Sequence, residues 1–384
     1  MHTYIHRIKE KTIKEHLRIF PAVAILGARQ VGKSTLAKQI MKEYPNSVYL
    51  DLEDPRDLAK LQDPMAFLQA NKNSMICIDE IQRFPNLFNI LRPYIDGNER
   101  PGQLLILGSA SKELIRQSSE SLAGRISFIE IGPFSVPEVN DLRNLWMQGG
   151  FPKAYILNEQ GSYDWRINYI RTFLERDIPQ FGINIPAETL RRFWTMLAHV
   201  NGTVLNMRSL ASSMGTSAPT IKRYLDILES AFVIRRLQPF YTNTKKRLVK
   251  SPKLYIRDSG IIHTLLGIET LNDLLGHPCL GGSYESFIIS SIMENFPRFG
   301  ASFYRSSGGA EIDLILEKGK KRTAIEIKSS SSPKLTQGFY EAMKIIKPEK
   351  AFIAAPVEKP FPVHKDIWVY NLPDLISQMK ELYE

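Results

Sequence analysis

Cysteine is almost missing from this chain: Cys77 and Cys279 are the two in 384 residues. So widely separated a pair supports neither a disulfide framework nor a zinc cluster. Long apolar runs are missing too, the longest being of strand length, which speaks against a membrane-spanning helix. The stretch from Met1 to Arg18 is polar and basic, with no apolar core ahead of a cleavage site, so no secretory signal is expected. Together these absences lead to the expectation of a cytoplasmic protein with no membrane partner. Acidic residues are also short in one place. Lys and Arg outnumber Asp and Glu by 50 to 40 overall, but by 16 to 7 between Ser162 and Ile261, while the remainder is nearly neutral. A basic excess confined to one segment points to an anionic partner such as nucleic acid, with solubility or a phosphate-facing rim as the alternative. With 43% hydrophobic residues, the chain can bury a sizeable core and is long enough for two or three domains.

What is present begins at Gly27-Ala28-Arg29-Gln30-Val31-Gly32-Lys33-Ser34, which fills every fixed position of the G-x-x-x-x-G-K-[ST] phosphate loop. Its glycines let the backbone wrap closely enough for successive N–H groups to face the phosphates of a nucleoside triphosphate. Lys33 adds a cation, and Ser34 offers a hydroxyl to Mg²⁺. The helix that follows, with Thr35 in its first turn, brings its positive end to the site. The apolar run Ala22 to Leu26 before it and the helical pattern Thr35 to Met41 after it supply the required strand, loop and helix.

A second apolar strand, Met75 to Ile78, ends in Asp79-Glu80. Asp79 is suited to hold Mg²⁺ opposite the loop hydroxyl, and Glu80 to polarise an attacking water. A third strand, Leu104 to Leu107, runs into Gly108-Ser109-Ala110-Ser111, where Ser109 is the candidate γ-phosphate sensor between the other two strands; a plain helix cap is its alternative. In Ser121-Leu122-Ala123-Gly124-Arg125, Arg125 is a candidate arginine finger, in its own copy or a neighbour's. The guanine-reading Asn-Lys-x-Asp pattern is absent, which favours ATP.

These segments together resemble the prokaryotic AAA-type ATPases that carry a characteristic C-terminal domain of unknown function. Further points of likeness are Gly149-Gly150-Phe151-Pro152, Leu174-Glu175-Arg176-Asp177-Ile178 and Lys246 to Tyr255. The resemblance extends to about Ser330 and implies an ATPase whose output it does not name.

The basic middle has helical periodicity. Leu190, Phe193, Trp194, Leu197 and Ala198 share one face, Met207, Leu210 and Ala211 another, and Ile221, Leu225 and Leu228 a third, before a strand at Val233 to Leu237. That outline predicts a winged helix, with Ser217, Thr220, Lys222 and Arg223 facing a major groove. Lys245, Lys246, Arg247, Lys250 and Lys253 would add backbone contacts, each steepening the salt dependence. A scaffold that meets a protein partner is the competing reading.

Toward the C-terminus, Glu285 on a helical stretch, Asp313 on a strand and Ala324-Ile325-Glu326-Ile327-Lys328 on the next resemble a PD-(D/E)xK nuclease core. In that reading Asp313, Glu326 and Glu285 hold a second divalent ion, Mg²⁺ or Mn²⁺, and Lys328 activates water.

The fold expected is α/β: a P-loop NTPase parallel-sheet domain over residues 1–145, a helical and winged-helix segment over 146–255, and an α/β restriction-endonuclease-like domain over 256–384. The function expected is ATP binding and hydrolysis coupled to DNA binding, with a metal-dependent nuclease-like domain. The alternative is a non-cleaving ATP-dependent switch or remodeller that recognises a protein or nucleic-acid partner, working as an oligomer.

Overall fold

The computed structural model describes residues 4–98, 100–109, 122–180, 185–241, 249–364 and 366–383. Ala110, Ser111 and Ser121, and the basic triplet Lys245-Lys246-Arg247, lie outside the described residues. The chain divides into two compact units: Met1–Pro133 with Ser230–Phe232, and Phe134–Glu229 with Val233–Glu384.

The first unit is built on a parallel sheet. Its strands are β1 (Ala22–Leu26), β2 (Val48–Asp51), β3 (Ile76–Asp79), β4 (Leu104–Gly108) and β5 (Ile126–Glu130), in the order β2-β3-β4-β1-β5. Continuous apolar runs are what a strand covered on both faces requires, and β1 is buried along its whole length. Helix Lys33–Met41 turns Leu36, Ala37 and Ile40 inward, spaced for one face, and starts from Gly32 at φ 98°. That left-handed value suits glycine.

The second unit is helical first and then mixed. Helix Ala187–His199 buries Leu190, Phe193, Trp194, Leu197 and Ala198, the face that the periodicity predicts. Helices Met207–Met214 and Ala218–Ser230 follow, burying Leu210 and Ala211, and Ile221, Leu225, Ile227 and Leu228. Met207, expected inward, is instead exposed because it occupies the first helical position, ahead of the packed face. Then come β6 (Ile234–Pro239), β7 (Lys253–Ile256), helix Leu280–Asn295, and strands β8 (Gly300–Arg305), β9 (Glu311–Lys318), β10 (Lys321–Ile327), β11 (Lys350–Ala354), β12 (Phe361–His364) and β13 (Ile367–Tyr370). All eight strands form one sheet in the order β12-β13-β11-β10-β9-β8-β6-β7.

This sheet runs across the division expected near residue 255. β6 joins it by parallel pairing of Gln238 with Ser302 and Pro239 with Phe303, and the Phe240 N–H donates to the Phe303 carbonyl at 2.6 Å. A two-residue pairing across some sixty positions leaves no local trace in the sequence. Its core gathers Tyr304, Ile312, Ile315, Ala324, Phe339, Ile353 and Val369, each large apolar member contributing about 1.5–3 kcal/mol by burial.

A polar knot holds the start of this unit. Arg166, 1% exposed, donates to Thr264 Oγ1 (2.7 Å), Ser162 Oγ (2.6 Å) and the Gln148 carbonyl (3.0 Å). Burial lowers its pKa to about 10, with the nearby Asp258 charge acting the other way. Asp258 accepts from the Gly150 N–H at 2.7 Å. A Cβ on Gly149 would stand 2.2 Å from Asp258 Oδ1, so glycine at 149 is a packing requirement.

Candidate functional site

Three strand ends converge in the first unit. The loop Gly27 to Gly32 leaves β1, Asp79 ends β3 and Ser109 follows β4, and β4 lies between β1 and β3. All three are at the carboxyl edge of a parallel sheet, where such sheets bind ligands. Gly27 is required by a close approach: a Cβ there would lie 2.3 Å from the Ile131 carbonyl oxygen. Ala28 is buried, Arg29 half-buried and Gln30 exposed, and Val31 packs inside. Arg7, absent from the sequence expectations, fixes the loop from outside by donating to the Val31 carbonyl (2.9 Å) and the Gly132 carbonyl (2.6 Å).

Lys33 is buried and folds back over the loop, donating to the carbonyls of Gly27 (3.0 Å) and Ala28 (2.9 Å). Phosphate oxygens would compete for the same ammonium. Ser34 Oγ donates to Asp79 Oδ2 at 2.5 Å, while Thr35, next along the helix, points to solvent. Two hard oxygen donors meeting at a helix N-terminus fit the chemistry of Mg²⁺.

Asp79 is 4% exposed and has a further donor, the Tyr49 hydroxyl from β2, which also reaches Oδ2. Burial first, and then the Asp79 charge, hold that phenol well above its ordinary pKa, so it stays a neutral donor. Glu80 follows in the left-handed region at φ 55°, a backbone conformation that costs a non-glycine residue about 1–3 kcal/mol and gathers at functional sites. Its N–H donates to Asp79 Oδ1 at 2.9 Å, and its carboxylate accepts from Ser109 Oγ at 2.9 and 3.2 Å and from the Gln82 amide. Tyr49 and Gln82 carry no motif of their own; each acts by reach from a neighbouring segment.

Arg125 is elsewhere. Ile126 pairs with Ala22 at the opposite end of β1, so Arg125 stands about 16 Å of strand away from the loop. It binds Asp96 instead, Nε to Oδ1 at 2.5 Å and Nη2 to Oδ2 at 3.0 Å. That placement takes the own-copy phosphate role out of its reach.

The second unit brings Glu285, Asp313, Glu326 and Lys328 into one neighbourhood, with an unexpected occupant. Lys253, on β7, was expected on a DNA-facing surface, but it is 2% exposed. The run of basic residues before it hides the alternation of β7, which turns Lys253 and Tyr255 to one face. Lys253 Nζ lies 2.8 Å from Glu311 Oε1, 3.0 Å from Glu285 Oε1 and 3.2 Å from Asp313 Oδ1. The Tyr255 hydroxyl donates to Glu285 Oε1 at 2.6 Å, the Ile327 N–H to Asp313 Oδ2 at 3.0 Å, and Lys328 Nζ to Glu326 Oε1 at 2.6 Å. Burial, and then the Asp313 charge, push Glu285 up to about 7 and Glu326 up to about 8. Burial opposes the charge on Lys253, yet Glu285, Asp313 and Glu311 raise its pKa overall. Among the described residues, no group of three or more His, Cys, Asp or Glu is arranged to hold a metal ion. The Glu285, Asp313 and Glu326 oxygens expected to hold a divalent ion therefore do not fit it in this conformation, because the Lys253 ammonium sits on Glu285 and Asp313 and the Lys328 ammonium on Glu326.

In the helical segment, Ser217 Oγ accepts from the Thr220 N–H at 3.3 Å, and Lys222 pairs with Asp226 at 3.4 Å. Lys222, Arg223 and Lys250 are exposed. No helix among the described residues is long and apolar enough to cross a membrane.

Comparison with known proteins adds the following. Residues 20–140 match the family described as an AAA domain, and residues 139–272 and 280–375 match two domains of unknown function, DUF8612 and DUF4143. An uncharacterized protein of Mycobacterium tuberculosis is 39% identical over 354 residues, 91% of this chain and 80% of that protein, as is one of Mycobacterium bovis. One of Haemophilus influenzae is 25% identical over 287 residues, covering 65% of this chain and 70% of its own. Among solved structures, a Walker-type ATPase of Pyrococcus abyssi aligns with a TM-score of 0.44 at 15% identity, over 68% of this chain and 96% of that one. A RuvB variant of Thermotoga maritima aligns at 0.30 and 18% identity, over 59% and 88%. The chain belongs to the same family as these mycobacterial proteins, and its N-terminal part is an AAA-type P-loop ATPase domain.

Proposed function

We propose that the chain is an ATP-driven switch that hydrolyses ATP and engages DNA without cleaving it. The observation that carries the ATPase reading is the meeting of Ser34 with Asp79 at 2.5 Å and of Ser109 with Glu80 at 2.9 Å on adjacent strand ends. Lys33 exchanges its loop carbonyls for phosphate oxygens. Ser34 and Asp79 would hold the Mg²⁺ that comes with the nucleotide, which would supply neutralisation of phosphate charge. Glu80 orients the attacking water and accepts its proton, and Ser109 aims that carboxylate.

DNA engagement is supported by the basic excess between Ser162 and Ile261 and by exposed Lys222 and Arg223 near the start of helix Ala218–Ser230, read as the third helix of a winged helix. The non-cleaving reading is favoured over a nuclease by Lys253 among the acidic side chains. In this reading the chain has three working parts: the ATPase over 1–145, the helical segment from 146 on, and an acidic site that draws Lys253 from β7 as well as residues of 256–384. Arg125, half-buried at the opposite end of the sheet, acts on a neighbouring copy's nucleotide.

Glu80→Gln tests the core of this reading. ATP binding should stay within about threefold of the parent, while turnover falls by about 10²-fold or more; ordinary turnover would remove Glu80 from the mechanism. In the same variant, trapped with ATP, binding of duplex DNA should differ from the nucleotide-free state and weaken with salt. DNA binding in neither state ends the DNA part of the reading, and a strict monomer under those conditions ends the role given to Arg125.

A further inference from the structure

The acidic cluster of the second unit is assembled at distances set by an ammonium. Oxygens of Glu311, Glu285 and Asp313 stand 2.8, 3.0 and 3.2 Å from Lys253 Nζ, within or at the edge of the N–H···O range. A divalent magnesium ion would need them near 2.1 Å, in octahedral array. Three donors on one ammonium meet three carboxylates, which exhausts the hydrogen-bonding capacity of Lys253. The remaining groups also act as donors: Tyr255 on Glu285, the Ile327 N–H on Asp313 and Lys328 on Glu326. The exception is Glu326 Oε2, buried and without a hydrogen-bond partner, on a residue that is 5% exposed.

We propose that the Lys253 ammonium is the resident cation of this cluster, standing where the resembled nuclease core would carry a divalent metal, so that the site is built to work without one. The inference rests on the geometry of the cluster and not on the ATPase or DNA readings. Lys253 belongs to the segment that matches one domain of unknown function, and Glu285, Glu311, Asp313 and Glu326 to the segment that matches the other. The cation and its carboxylates are therefore contributed by separate matched segments, Lys253 from β7, Glu311 and Asp313 from β9, Glu326 from β10 and Glu285 from the helix Leu280–Asn295. An ammonium at this position also forbids the chemistry that a metal-bound water would supply, and leaves Glu326 held by Lys328 through Oε1 alone, with Oε2 unpartnered.

Mn²⁺ titration followed by electron paramagnetic resonance, on the nucleotide-free full-length chain, tests this without reference to activity. The wild type and Asp313→Asn should bind the same number of Mn²⁺ ions, and Lys253→Met should gain one site that Lys253→Met combined with Asp313→Asn loses. A wild type that binds one more Mn²⁺ than Asp313→Asn overturns the proposal, as does a folded Lys253→Met, checked by circular dichroism, that gains no site. Should Lys253→Met fail to fold, the comparison of the wild type with Asp313→Asn decides alone. Glu326→Gln replaces Asp313→Asn if that variant is the one that fails.

Discussion

Ser109 Oγ stands 2.9 Å from Glu80 Oε2, bridging the ends of two adjacent strands. A hydroxyl donating to the carboxylate fixes its direction while Glu80 itself sits at φ 55°. Removing that hydroxyl leaves the carboxylate to the Gln82 amide alone. Ser109→Ala should therefore lower kcat by about tenfold and leave KM for ATP within about twofold. Steady-state ATPase assays check this; an unchanged kcat would show that Ser109 merely ends a strand.

Tyr49 competes for the oxygen of Asp79 that also accepts from Ser34. Tyr49→Phe deletes one donor to a charged acceptor, an interaction worth about 1.5–3 kcal/mol before compensation. The expected outcome is a half-saturating Mg²⁺ concentration about three- to tenfold lower at fixed ATP. A higher Mg²⁺ requirement would mean that Tyr49 supports the site and does not compete for it.

Stability of the second unit should depend on pH through Glu285 and Glu326. Burial and the Asp313 charge raise them from an ordinary 4.5 to about 7 and about 8. The folded state thus holds protons that the unfolded chain releases above about pH 4.5. The stability they confer is complete below that pH and is lost as the pH rises through 7 to 8. Thermal melts should show Glu326→Gln gaining on the wild type by a few degrees between pH 5 and pH 9. A constant difference across that window would refute the shift.

Arg166 holds the entrance of the second unit by three hydrogen bonds and the compensating charge of Asp258. Arg166→Met keeps much of the volume and none of the donors, leaving a buried carboxylate without its counter-charge. Denaturant unfolding should show a loss of about 3–5 kcal/mol. A loss under about 1 kcal/mol would mean that the knot is solvated and energetically minor.

The phosphate loop, the Asp79-Glu80 pair and the amphipathic face of Leu190 to Ala198 were legible because their signals are contiguous or fall at helical spacing. Whether Arg125 serves its own copy or a neighbour's was not legible, because reach is set by the end of the sheet on which a residue stands, which the β1–β5 register decides. Lys253 misled for another reason. Its neighbours Lys245, Lys246, Arg247 and Lys250 suggest a solvated run, whereas the alternation of Lys253, Tyr255 and the apolar Leu254 and Ile256 was the local sign of a buried strand. Nothing local could show that its partners would come from Glu285 and Glu311, which are contributed by a separate helix and strand. Tyr49 and Gln82 belong to the same class, since their roles follow from side-chain length across a strand gap.

The joining of β6 to β8 has a bearing on how such chains are parsed into modules. The two matched segments, 139–272 and 280–375, meet at a seam where the polypeptide is continuous in sequence, while the backbone ladder between their strands is continuous in space. Cutting at that seam would strip β8 of its neighbour and leave an open ladder edge of the sort that invites aggregation. The unit to express or to assign a role is therefore the pair, because each segment supplies a strand that completes the other's edge.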